Sequence, residues 1–165
     1  MHVFIAGVMQ GSRQDDLIDS QNYRLRIIEA LEAHFPHTQV TDPWALHPES
    51  VSYGLEETRT TFFSNTALAG EADLLIAYLP HASMGTAIEM WTAYHNDAYI
   101  VAVTLMAHNW VVRITADEIF PDLESLLAHI ESGRLAENIA ARNGQRAHVG
   151  SDQPAARPGE GLEPA

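Results

Sequence analysis

A chain of 165 residues with 46% apolar side chains is long enough to bury one self-supporting core. It has no cysteine and no lysine, which excludes thiol nucleophiles, disulfides, thiolate metal sites, Schiff-base lysines and the Walker A lysine. A formal charge of −13 sets it against long nucleic acid, whose backbone needs clustered cations, yet leaves room for one phosphate held by backbone amides and an arginine.

His2 to Val8 (HVFIAGV) is a short apolar run and reads as the first strand. Gly7 and Gly11 bracket the turn Gly7-Val8-Met9-Gln10-Gly11-Ser12-Arg13. Glycines let a turn aim its N–H groups at one point, and Ser12 and Arg13 add a hydroxyl and a charged fork, which together suit a phosphate. The same residues also suit an ordinary turn with an arginine in solvent. The spacing is not GxGxxG, so the dinucleotide fingerprint is absent. Leu17 to Phe35 predicts a helix with Leu25, Ile28, Leu31 and Phe35 on its apolar face and Pro36 as its stop. Thr38 to Thr41 predicts a short second strand ending at Asp42-Pro43-Trp44, where Trp44 suits either stacking on a base or covering the core edge. Residues 45 to 54 read as a polar loop, and Leu55 to Ala69 as a helix with Leu55, Phe62, Phe63 and Leu68 as core candidates.

Leu74 to Leu79 is apolar on successive positions, as in a strand covered on both faces. It leads through Pro80-His81-Ala82-Ser83-Met84-Gly85 into a helix predicted over Thr86 to Asn96. Ser83, Gly85 and Glu89 therefore gather at the carboxyl end of a strand, the rim where open α/β sheets bind small ligands. In the first helical turn Glu89 is held ionised by the helix field, and such a carboxylate can attack a sugar carbon. Thr86-Ala87-Ile88-Glu89 fits a capping box equally, with Glu89 only returning a bond to the backbone, and Ser83 offers another cap. Asp73 lies at the opposite end of its strand and reads as a local cap. Tyr99 to Leu105 is a fourth strand, Trp110 to Ile114 a candidate fifth, and Leu123 to Ile130 and Leu135 to Ala141 are helices.

This alternation predicts a small doubly wound α/β fold, Rossmann-like or flavodoxin-like, a three-layer sandwich with a mostly parallel sheet of about five strands. One domain is expected over residues 1–143, with 144–165, rich in glycine, proline and charge, as a disordered tail. The nine histidines show no metal-ligand spacing, so neither a metal nor a cofactor is expected. No leader pattern or membrane-length apolar run stands out, so a cytoplasmic protein without a membrane partner is expected.

Three segments together resemble the nucleoside 2-deoxyribosyltransferase superfamily: Val3-Phe4-Ile5-Ala6-Gly7 with Arg13, Ala72-Asp73-Leu74-Leu75-Ile76-Ala77, and Ser83-Met84-Gly85-Thr86-Ala87-Ile88-Glu89-Met90, which is similar to the family's S-x-G-T-x-x-E signature. The resemblance spans roughly residues 2 to 130 and comes nearest to the branch that hydrolyses nucleoside 5'-monophosphates. It implies cleavage of the bond between a base and a ribose or deoxyribose, with Glu89 as the nucleophile. Gly7, Gly11, Ser12 and Arg13 would hold the 5'-phosphate, joined by Ser83 from the neighbouring subunit of a homodimer or higher homo-oligomer. Gly85 and Trp44 complete the substrate-binding set. Two positions depart from the pattern. Asn65 stands where members often carry an aspartate, eight residues before Asp73, and an amide cannot donate a proton as an acid. Asp42 on the rim is the candidate substitute. Gln10 stands where an arginine is frequent. Transfer of the sugar between bases, a non-catalytic nucleotide sensor and an NAD-cleaving domain are the alternatives.

Overall fold

The computed structural model describes residues 1–9 and 18–149. Five strands, β1 (His2–Gly7), β2 (Gln39–Thr41), β3 (Leu74–Tyr78), β4 (Tyr99–Val103) and β5 (Glu118–Phe120), form one all-parallel sheet in the order β2-β1-β3-β4-β5. The helices among the described residues are α1 (Asn22–His34), α2 (Pro43–Leu46), α3 (Leu55–Gly70), α4 (Met84–His95), α5 (Trp110–Thr115), α6 (Leu123–Glu131) and α7 (Arg134–Val149), with a 3-10 turn at Ser50–Ser52. Successive strand side chains point to opposite faces, so the sheet serves two cores. Phe4, Ala6, Leu75, Ala77 and Ile100 pack against Ala69 of α3, Met90 and Ala93 of α4 and Val112 of α5. Val3, Ile5, Leu74, Ile76 and Val101 pack against Ile27 and Leu31 of α1, Leu126 and Ile130 of α6 and Leu135 of α7. The α/β sandwich expected from the alternation is thus the observed fold.

The strand order places neighbours of β1 on both of its sides, and the chain reverses direction across the sheet between β1 and β3. At such a switch point the connections leaving two adjacent strands part to opposite faces and open a crevice at their carboxyl ends. Gly7 and Tyr78 end these two strands side by side. Asp73, at the other end, accepts from the His2 amide at 2.7 Å, away from the crevice.

Several local expectations need correcting. Trp110 to Ile114 is helical, and the fifth strand is Glu118–Phe120. The β-branched run suggested a strand, but Asn109 Oδ1 accepts from the Val111 and Val112 amides at 3.0 and 3.5 Å and starts a helix instead. On α1 the buried stripe is Tyr23, Arg24, Ile27 and Leu31, and Leu25 is exposed. On α3 Leu55, Phe62 and Phe63 are exposed and only Leu68 joins the core margin. Helix α4 begins two residues earlier than expected. The last helix, α7, runs through Val149, beyond Ala141.

Candidate active site

Glu89 owes its place to the cap of α4. Ser83 Oγ accepts from the Thr86 amide at 3.3 Å and from the Thr86 hydroxyl at 3.1 Å, so Ser83 is the N-cap and Thr86 takes the third helical position. A capping box would need the glutamate at that position. Glu89 instead sits in the second turn, which removes it from the cap and aims it at the crevice.

A cavity of about 280 Å³ opens there. Gly7 and Met9 line it from the end of β1, and Ser83, Met84, Gly85, Thr86 and Glu89 from the start of α4. Thr58, Thr61, Phe62 and Asn65 of α3 form the facing wall, closed by Ser50, Val51 and Tyr53. Of the sequence candidates, Gly7, Asn65, Ser83, Gly85 and Glu89 therefore meet in one cavity. Asp42 and Trp44 do not line it. Asp42 caps α2 by accepting from the Trp44 amide at 3.0 Å and pairs with Arg24 at 2.8 Å, while Trp44 is half-buried on α2. Gly11, Ser12 and Arg13, with Gln10, lie outside the described residues.

The electrostatics of the cavity follow from burial. Glu89 has its carboxyl pushed up to about 8, chiefly by loss of water, with the Arg24 charge pulling the other way. Asn65 is buried and its Oδ1 has no hydrogen-bond partner among the described residues. A buried acceptor left without a donor is costly, and in a cavity wall it is a contact waiting for a ligand. No group of three or more acidic, histidine or cysteine side chains among the described residues is arranged to hold a metal.

Behind Gly7 lies a layer that motif reading missed. A Cβ on Gly7 would come within 1.9 Å of the Tyr23 hydroxyl, so any side chain here would force that ring to shift. The Tyr23 ring is pinned by stacking on Tyr78, centroids 4.1 Å apart, and its hydroxyl is pushed far up by burial. Beside it Arg24 is buried, donating from Nη1 to the Ile5 carbonyl at 2.7 Å and to Asp42 at 2.8 Å, and from Nε to Gln21 Oε1 at 2.7 Å. The signal was legible: an arginine three and seven residues before Ile27 and Leu31 shares their apolar stripe.

No protein-family model and no curated protein matches the chain. Among solved structures it is similar to a 2-deoxyribosyltransferase of the psychrotolerant bacterium Bacillus psychrosaccharolyticus, with a TM-score of 0.57 and 14% identity, over 77% of this chain and 90% of that one. It is also similar to a conserved protein of Enterococcus faecalis V583, with a TM-score of 0.52 and 18% identity, over 79% of this chain and 97% of that one. At these identities the likeness establishes a shared α/β sandwich.

Proposed function

We propose that the protein cleaves the N-glycosidic bond of a nucleoside or nucleoside 5'-monophosphate. The observation that carries this reading is Glu89, a carboxyl outside the helix cap, set in a switch-point cavity opposite the unpartnered Oδ1 of Asn65. The fold shared with a 2-deoxyribosyltransferase adds support.

In the first step the ionised Glu89 carboxylate attacks the anomeric carbon. The bond to the base nitrogen breaks, its electron pair leaves with the base, and the nitrogen takes a proton from solvent. Asn65 cannot supply that proton, and Asp42 is committed to Arg24 and the α2 cap. Water then attacks the anomeric carbon, the ester to Glu89 breaks, and the water's surplus proton leaves to solvent. Asn65 Oδ1 accepts from a sugar hydroxyl. Ser83 uses its oxygen as acceptor for both cap bonds, so its own O–H is left to donate to substrate. Gly11, Ser12 and Arg13 follow the cavity-lining Gly7 and Met9 in the chain, which makes them the candidates for a 5'-phosphate.

The partner surface follows from what is left uncovered. Phe63 on α3 and Trp91 and Ile88 on α4 are exposed, and Phe62 belongs both to this apolar face and to the cavity wall. A second copy docked here closes the mouth of the site, as a homodimer with shared active sites requires.

The test is release of free base from a panel of nucleosides and 5'-monophosphates by the protein and its Glu89→Gln variant. Release that the substitution abolishes is the expected result. A preference for monophosphates supports the phosphate site. Capture of the sugar by an added second base assigns transfer instead. Stabilisation by a nucleotide without turnover assigns a sensor and overturns the enzymatic reading.

A further inference from the structure

Arg24 is a full positive charge in the interior, and such a charge is retained only where something compensates it. Its Nε and Nη1 are satisfied by Gln21, the Ile5 carbonyl and Asp42, but Nη2 has no partner among the described residues. Nη2 lies 3.3 Å from where a Gly7 Cβ would be. Gly7 and Glu89 line the same cavity. The free end of a fixed guanidinium therefore stands just behind the wall of the Glu89 site.

We infer that Arg24 is a positioning residue for Glu89: lodged behind Gly7, it lends a positive field that favours the charged, attacking form of the Glu89 carboxylate, and Asp42 tempers that field. The role rests on the reading of Glu89 as nucleophile. Among the described residues that line the cavity, Glu89 is the only charged side chain, which leaves Arg24 as the charge behind its wall. Tyr23 on α1 and Tyr78 on β3 are phenols beside the arginine, and Tyr53 is a phenol in the outer wall. The α3 residues at the cavity, Thr58, Thr61, Phe62 and Asn65, carry no charge. His81, on the loop after β3, pairs with Asp19 at 3.2 Å, and Arg113 of α5 is exposed. Burial would by itself hold Glu89 protonated at neutral pH, and the arginine offsets part of that cost.

The experiment follows the Glu89 carboxyl by carbon NMR of glutamate-labelled full-length protein, with Glu89→Gln assigning the signal, beside the pH profile of base release. Arg24→Gln is expected to raise the Glu89 midpoint by about one pH unit or more and to move the acid limb of the profile with it. Arg24→Lys keeps the charge and is expected to restore most of the wild-type midpoint. Asp42→Asn removes the tempering charge and is expected to lower the midpoint, which keeps the inference testable if Arg24→Gln does not fold. A Glu89 midpoint indifferent to Arg24→Gln, or an upward shift in Asp42→Asn, overturns the inference. Failure of the wild-type protein to release base from any substrate overturns the glycosidase reading alone, since the NMR titration reads the Arg24 effect without turnover.

Discussion

Glu89 is expected to cost the protein stability, and the cost has a pH signature. The carboxyl titrates at 4.5 in an unstrained setting and at about 8 in the fold. A carboxyl whose midpoint is raised binds more protons folded than unfolded, so folding is favoured at low pH and loses that advantage as pH rises from 4.5 to about 8. Each pH unit in that window removes about 1.4 kcal/mol. At pH 7 the penalty reaches about 3 kcal/mol, an upper figure because the mouth of the cavity admits water to the carboxyl. Glu89→Gln keeps the shape and removes the titration. The variant should match the wild type near pH 4.5 and exceed it progressively above, by roughly 6 to 12 °C in melting temperature at pH 7 for a domain of this size. Thermal melts by circular dichroism across that range measure the gap directly. A gap independent of pH, or a wild type more stable than Glu89→Gln at pH 8, would refute the reasoning.

The same midpoint governs turnover: kcat/KM for base release should rise about tenfold per pH unit below about 8 and level above it, because the nucleophile must be ionised; a profile falling over this range assigns Glu89 as an acid. Gly7→Ala drives a methyl to within 1.9 Å of the Tyr23 hydroxyl and should cost about 1–3 kcal/mol in urea unfolding, a cost that Tyr23→Phe partly relieves in a double-mutant cycle. Additive effects of the two substitutions would show that Tyr23 yields freely. Asn109→Ala removes the cap of α5 and should cost about 1 kcal/mol without changing base release; loss of activity would tie α5 to the site. Phe63→Asp with Trp91→Asp should leave a monomer in light scattering with reduced activity, and an unchanged mass would place the subunit contact elsewhere.

Glu89, Ser83, Gly85 and Gly7 were legible because strand-end chemistry is local: an apolar run, a glycine turn and a polar side chain at fixed offsets announce themselves in a dozen residues. Asn65 was reached only through the family resemblance, since nothing in its own helix marks it. The facing wall was not legible. Thr58 and Thr61 enter the cavity because α3 forms its facing wall, and Tyr53 because the 3-10 turn before α3 closes it, placements that no local pattern marks. Phe62 and Phe63 misled for the opposite reason, since helical spacing cannot separate a face turned to the core from one turned outward. The place of Arg24 on an apolar stripe is visible in the sequence, but its purpose is not, because its partners lie far off at Ile5 and Asp42.

The two walls of the cavity have separate origins. Gly7 and Glu89 stand on the sheet and on α4, braced by the interior, whereas residues 50 to 62 reach the cavity from a 3-10 turn and the outer flank of α3. Changes in that outer stretch would alter the contour presented to a ligand while sparing the carboxylate and its support. It is the segment to graft or randomise when the aim is a new specificity on the same chemistry.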